Sequence, residues 1–127
     1  MDMRGFQNYK GQAVSTMTQG ELLLLLYDEL IKRLTRAELT LAMEKPDYEL
    51  FEASVERSLE IVRYLNATLD HQYPISRELA RLYDFFCYEL NRVKLGRNRT
   101  ELERVKTMLS ELRDSFRTAQ ANNDSGK

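Results

Sequence analysis

The residues able to do chemistry are plentiful in this sequence but scattered. His71 is the only histidine and Cys87 the only cysteine. His71 falls near a predicted helix C-terminus, where a cation suits the helix dipole, and a capping or surface role outweighs a general base. A single cysteine forms neither an intrachain disulfide nor a cysteine-based zinc cluster. Cys87 follows Phe86 on an apolar helix face and reads as a small buried hydrophobe; a reactive thiol would want a basic, partly exposed setting. The sequence has no Glu-x-x-His pair for a di-iron bundle site, no Walker loop, no Gly-x-Gly-x-x-Gly and no Gly-x-Ser-x-Gly. The glutamates lie mostly on polar faces, where they need only solvent. An enzyme is therefore the least favoured class, and neither cofactor nor metal is expected. Asn66-Ala67-Thr68 and Asn98-Arg99-Thr100 match the glycosylation sequon by chance, because the first ten residues contain no apolar signal core. The cytoplasm is the expected compartment.

One charge cluster stands out. Arg92, Lys94, Arg97, Arg99, Arg104 and Lys106 gather around a predicted helix–helix turn, with Glu101 and Glu103 beside them. Such a patch could meet an acidic partner or nucleic acid. The net charge of −1 argues against nucleic acid, and cations favour helix C-termini for local reasons. No nucleic-acid partner is expected.

The elements that must carry these side chains read as helices. Hydrophobic residues make up 43% of the 127, enough for one core, while five glycines and two prolines are too few for an all-β fold. Residues 1–17 lack sustained periodicity and form an arm. Its Met3, Phe6, Tyr9, Val14 and Met17 are apolar enough to dock on the body. A first helix opens at a Thr18/Glu21 capping box, with Leu23, Tyr27, Leu30, Leu34, Ala37 and Leu41 inward. Its Leu22–Leu26 run is too short to span a membrane but makes this the helix expected to be most buried. Lys45-Pro46 ends it. A second helix runs from about Asp47 to Gln72, with Phe51, Val55, Leu59, Val62, Asn66 and Leu69 on one stripe and Ile61 and Leu65 widening it. Ser76 is the expected N-cap of a third helix, with Leu79, Leu82/Tyr83, Phe86, Leu90 and Val93 inward and Gly96 its left-handed C-terminal residue. A Thr100/Glu103 box opens a fourth, with Leu102, Val105, Leu109, Leu112, Phe116 and Ala119 inward. The expected fold is all-α: an antiparallel four-helix bundle over residues 18–121, with the arm packed on it and a polar tail at 122–127. Tyrosines number seven, and tyrosine suits surfaces that are apolar at one end and wet at the other. The arm ahead of wide apolar faces suggests a cover over a binding groove.

Four stretches carry a resemblance. Tyr9 to Leu22, followed by Leu26-Tyr27-Asp28, matches Tyr9, Val14, Thr16, Gly20, Glu21 and Leu22 onto a signature of the form Tyr-x-x-x-x-Val-x-Thr-x-x-Pro-Gly-Glu-Leu. Ile61 to Asp70, Leu82 to Phe85, and Leu112 to Phe116 follow in order. Together they resemble the flagellar export chaperone for flagellin, the FliS family. Gln19 stands where that family has Pro, which would pre-set the first helical turn.

The resemblance implies a chaperone that binds the disordered C-terminal region of unpolymerised flagellin in the cytoplasm, blocks premature polymerisation and keeps flagellin ready for the flagellar export gate, itself a further partner. It puts Tyr9 and Val14 in the cover and Ile61, Leu65, Asn66 and Leu69 on the binding surface; a monomer is the default expectation. A helical adaptor for another protein, or a nucleic-acid binder through Arg92–Lys106, would be the alternatives.

Overall fold

The computed structural model describes residues 17–125, and the side chains of residues 17–122. Four helices fill it: α1 (Gln19–Ala42), α2 (Tyr48–Ala67), α3 (Ser76–Gly96) and α4 (Arg99–Ser125), with no strand among the described residues. α1 packs on α2 and α4, α2 on α3, and the α3–α4 seam is the slimmest. Cross-helix partners fix the directions. Glu38 late in α1 meets Lys106 early in α4, and Tyr27 early in α1 meets Phe116 late in α4. Glu56 early in α2 meets Lys94 late in α3, while Asn66 late in α2 meets Asp84 in the first half of α3. This is the all-α antiparallel bundle that the periodicity predicts. The expected arm lies outside the described residues up to residue 16.

The core is built from the middle of the predicted stripes, while Leu41 and Leu112 toward their ends stay half-buried. Leu30, Leu34, Phe51, Val55, Leu59, Val62, Leu90, Val93, Leu102, Val105 and Leu109 are fully buried. α1 is not the most buried helix, however: it buries six residues where the shorter α2 buries eight. Ser54 and Ser58 explain part of this, since small side chains let α2 sink inward, and Ser58 Oγ is satisfied by donating to Ser54 O at 3.0 Å. The other part is that Leu22–Leu25 are only half-buried. They border a hollow described below.

Helix ends depart from expectation where local hydrogen bonding decides. Thr18 caps α1 as expected, its Oγ1 accepting from Glu21 N at 3.1 Å. Asp47 caps α2, accepting from Leu50 N at 3.0 Å. α2 stops at Ala67, short of Gln72, so Leu69 and His71 belong to a connection. There Thr68 Oγ1 donates back to Tyr64 O at 2.9 Å and Asp70 Oδ1 accepts from Gln72 N at 3.0 Å. Such short polar side chains offer the backbone a turn in place of a helix. Ser76 is the first residue of α3 and not its cap; the chain enters through a turn closed by Ser76 N donating to Tyr73 O at 3.0 Å. Gly96 stays helical, and Arg97 takes the left-handed position at φ 55°. Its guanidinium, 3.7 Å over the Tyr48 ring and 3.7 Å from Glu52, holds it there. Asn98, not Thr100, caps α4, its Oδ1 accepting from Glu101 N at 3.1 Å. α4 then continues into the expected tail, and Ala119 is exposed.

Candidate functional site

At one end of the bundle α1 and α3 begin while α2 and α4 finish, and the four helices do not close over their core. They leave a cavity of about 550 Å³. α1 supplies Leu22, Leu23 and Leu26, α2 Tyr64 and Leu65, the α2–α3 connection Leu69, α3 Leu79 and Tyr83, and α4 Phe116. Gln19, Thr68 and Asp70 are the polar members of the wall. A smaller hollow of about 340 Å³ continues between α1 and α4 and shares Gly20, Leu23 and Phe116. At Gly20 the helices come close: a Cβ there would stand 1.8 Å from Gln120 Oε1, the mobile end of a side chain. An apolar cleft of this size with a few polar groups suits an apolar chain segment. A further hollow of about 600 Å³ lies along the second half of α1, lined among the described residues by Lys32, Thr35, Arg36, Leu39 and Thr40 of that helix and by Met43 just past it.

A repeated tripeptide frames the cavity. Leu26-Tyr27-Asp28 on α1 and Leu82-Tyr83-Asp84 on α3 turn their tyrosines inward, and the two hydroxyls meet across the bundle at 2.5 Å. The aspartates face outward to the next helix. Asp28 Oδ1 accepts from Arg113 and Arg117 of α4, each at 3.5 Å, and Asp84 Oδ1 accepts from Asn66 Nδ2 at 3.2 Å. The Tyr27 ring also lies against Phe116, centroids 5.5 Å apart. Burial pushes both phenols above their ordinary value, Tyr27 the further, with the neighbouring hydroxyl adding to the rise at Tyr27 and opposing it at Tyr83.

The structure sorts the expected site residues. Leu65 and Leu69 line the cavity. Ile61 is buried in the core away from it, and Asn66, half-buried, spends its amide donor on Asp84. Tyr9 and Val14 lie outside the described residues. Leu22, Leu23, Tyr83 and Phe116 are cavity residues that the sequence reading left in the core. The signal for them was the Leu22–Leu26 run, which holds more apolar residues than one helix face can bury, and the doubled Leu-Tyr-Asp.

The basic cluster is compensated by the fold. Lys94 pairs with Glu56, Arg97 with Glu52, Lys106 with Glu38, Arg92 with Glu89, and Arg104 with Glu89 and Glu101. Lys106 Nζ is 2.9 Å from Glu38 Oε2, an ion pair without hydrogen-bond geometry. Of the six cations, only Arg99 has no acid partner among the described residues. Glu89 is itself buried, against the expectation of solvated glutamates, and two guanidiniums offset the cost. Little positive charge is left to attract phosphates.

No reactive constellation assembles among the described residues. His71 is exposed in the α2–α3 connection, and no three His, Cys, Asp or Glu side chains are placed to hold a metal ion. Cys87 is half-buried, and burial pushes its thiol up, with Arg63 opposing and Asp84 reinforcing the rise. No described helix is long and apolar enough to cross a membrane.

A four-helix bundle with an open apolar end and compensated charges has the build of a binding protein. The chain belongs to the FliS family: the family model for flagellar protein FliS matches residues 3–123. The flagellar secretion chaperone FliS of Bacillus subtilis (strain 168) is 27% identical to it over 111 residues, covering 87% of this chain and 82% of that protein.

Proposed function

We propose that the chain is a cytoplasmic, flagellin-specific export chaperone that acts by binding and catalyses nothing. The observation that carries this reading is convergence. The stretches that resemble the flagellin chaperones lie far apart in sequence, yet Gly20, Leu22, Tyr27, Leu65, Leu69, Tyr83 and Phe116 from all four gather at or beside the open cavity. In this reading the C-terminal region of unpolymerised flagellin, disordered when free, folds onto that end and onward along the α1–α4 hollow. Ordering such a segment costs roughly 2–5 kcal/mol or more, so the interface must be long and apolar. Leu65 and Leu69 with Leu22, Leu23 and Phe116 supply the apolar contact. The amide oxygen of Asn66, which has no partner among the described residues, is available to a segment running past α2.

Tyr9 and Val14 form the cover of the empty site. Val14 is five residues before Gln19, within about 17 Å of extended chain from the cavity rim. A cover reduces the apolar surface shown to solvent, and flagellin displaces it. The flagellar export gate then receives the one-to-one complex. The test is polymerisation: an equimolar amount of this chain should suppress seeded assembly of monomeric flagellin followed by light scattering. Assembly at an undiminished rate beside the folded chain would contradict the reading.

A further inference from the structure

Besides Gln19, Thr68 and Asp70, the wall of the cavity includes the phenol-bearing Tyr83. Tyr83 is buried yet lines it, while its hydrogen-bond partner Tyr27 is fully enclosed behind it. Burial keeps both phenols protonated at neutral pH. Two neutral phenols carry two protons, and the one bond between their oxygens uses one of them. Neither hydroxyl has another partner among the described residues. A donor is therefore left over in a desolvated place, where an acceptor is worth most. Tyr27 has no access to the cavity, so the arrangement that uses the surplus has Tyr27 donating to Tyr83 and Tyr83 donating outward. In such a chain each bond polarises the next.

We propose that Tyr83 is a specificity-determining donor of this site: the bound segment seats one hydrogen-bond acceptor, a main-chain carbonyl or a side-chain amide oxygen, on the Tyr83 hydroxyl among its apolar contacts. The proposal rests on the reading of the open end as the flagellin site. It makes the cavity selective for an apolar segment with an oxygen at one fixed place, and it gives the two tyrosines unequal parts. Tyr83 touches the segment; Tyr27 orients Tyr83.

The experiment is calorimetric titration of the full chain and its Tyr83→Phe and Tyr27→Phe variants with the C-terminal segment of flagellin, with urea unfolding of each free variant. Both variants lose the same mutual bond, so unfolding shows a shared effect. Binding separates them: about a tenfold loss for Tyr83→Phe and less than about threefold for Tyr27→Phe, equivalent to about 1.4 and under 0.7 kcal/mol. The double Tyr27→Phe/Tyr83→Phe variant leaves no orphaned hydroxyl, so it tests the point even if a single variant folds poorly; it should also lose about tenfold. Saturable wild-type binding with Tyr83→Phe unchanged, or with equal losses in both single variants, overturns the donor assignment and leaves the chaperone reading intact. No binding by the wild-type chain overturns that reading instead.

Discussion

Where α1 and α3 finish and α2 and α4 begin, side chains tie the bundle shut. Asp47 and Asn98 cap the incoming helices, Arg97 stacks on Tyr48, and Glu38–Lys106, Glu52–Arg97 and Glu56–Lys94 join neighbouring helices. At the other end the ties among the described residues are the Thr18 cap of α1, two contacts of 3.5 Å from Asp28 to α4, Asn66 to Asp84, and the buried tyrosine pair. The leucines of the first turns of α1 stay half-exposed around a cavity. The tied end also shows Leu39, Met43, Leu50 and Leu95 to solvent, so what sets the other end apart is not exposed apolar surface as such but an apolar cavity walled by all four helices. A bundle can hold such a cavity because its core is continuous between the ends, so the closed end stabilises helices whose open tips need not pack to completion.

The largest test of this contrast uses one phenylalanine from each end. Phe51, fully buried near the start of α2, should cost about 3–5 kcal/mol of stability when changed to Ala, by urea unfolding. Phe116, half-buried at the cavity, should cost about half as much but should weaken flagellin binding at least tenfold. If Phe116→Ala destabilised as much as Phe51→Ala and left binding intact, the two ends would not differ in kind.

The tyrosine pair gives the next largest effect, through pH. Folding raises both values, so their contribution is complete below the ordinary value of 10.0 and is lost as pH climbs above it. The wild-type stability advantage over the Tyr27→Phe/Tyr83→Phe variant should be flat up to about pH 10, then fall by as much as about 1.4 kcal/mol per unit for each tyrosine. A flat difference to pH 11 would mean that the phenols are solvated in the folded chain.

Two smaller effects sharpen the picture of the closed end. Asn98→Ala should cost about 1 kcal/mol by removing the cap of α4, whereas Thr100→Ala should be near neutral. The reverse order would restore the capping box at Thr100. Gly96→Ala should stabilise by about 0.5–1 kcal/mol, since Gly96 is helical and an added Cβ meets nothing within 4 Å. A loss of stability there would place the left-handed residue back at Gly96.

The comparison also shows what was legible in the sequence. Helix number, order and inner stripes followed from 3.6-residue periodicity, because burial of stripes such as Leu30, Leu34, Phe51, Val55 and Leu59 is what drives the bundle to form. Helix ends were legible where one side chain decides, as at Thr18. They were not where neighbours compete: Asn98 forestalls Thr100, Arg97 anchored on α2 relieves Gly96 of the left-handed turn, and Thr68 with Asp70 stops α2 early. The site was half legible. Leu65 and Leu69 reach the cavity, but Asn66 meets Asp84, a partner eighteen residues away that no local pattern reveals. The same holds for the basic cluster, whose acids come from other helices. Leu22, Leu23 and Phe116 carried the mark of core residues because periodicity says which way a side chain faces, not whether another helix arrives to cover it.

The measurement that bears most directly on the central claim is amide hydrogen exchange of the full chain, alone and saturated with the C-terminal flagellin segment. Binding at the open end predicts slowed exchange at residues 19–26, 64–70, 79–83 and 112–120, and unchanged exchange at residues 38–50 and 94–102. Protection confined to residues 38–50 and 94–102 would put the ligand on the end described here as closed, and would contradict the account.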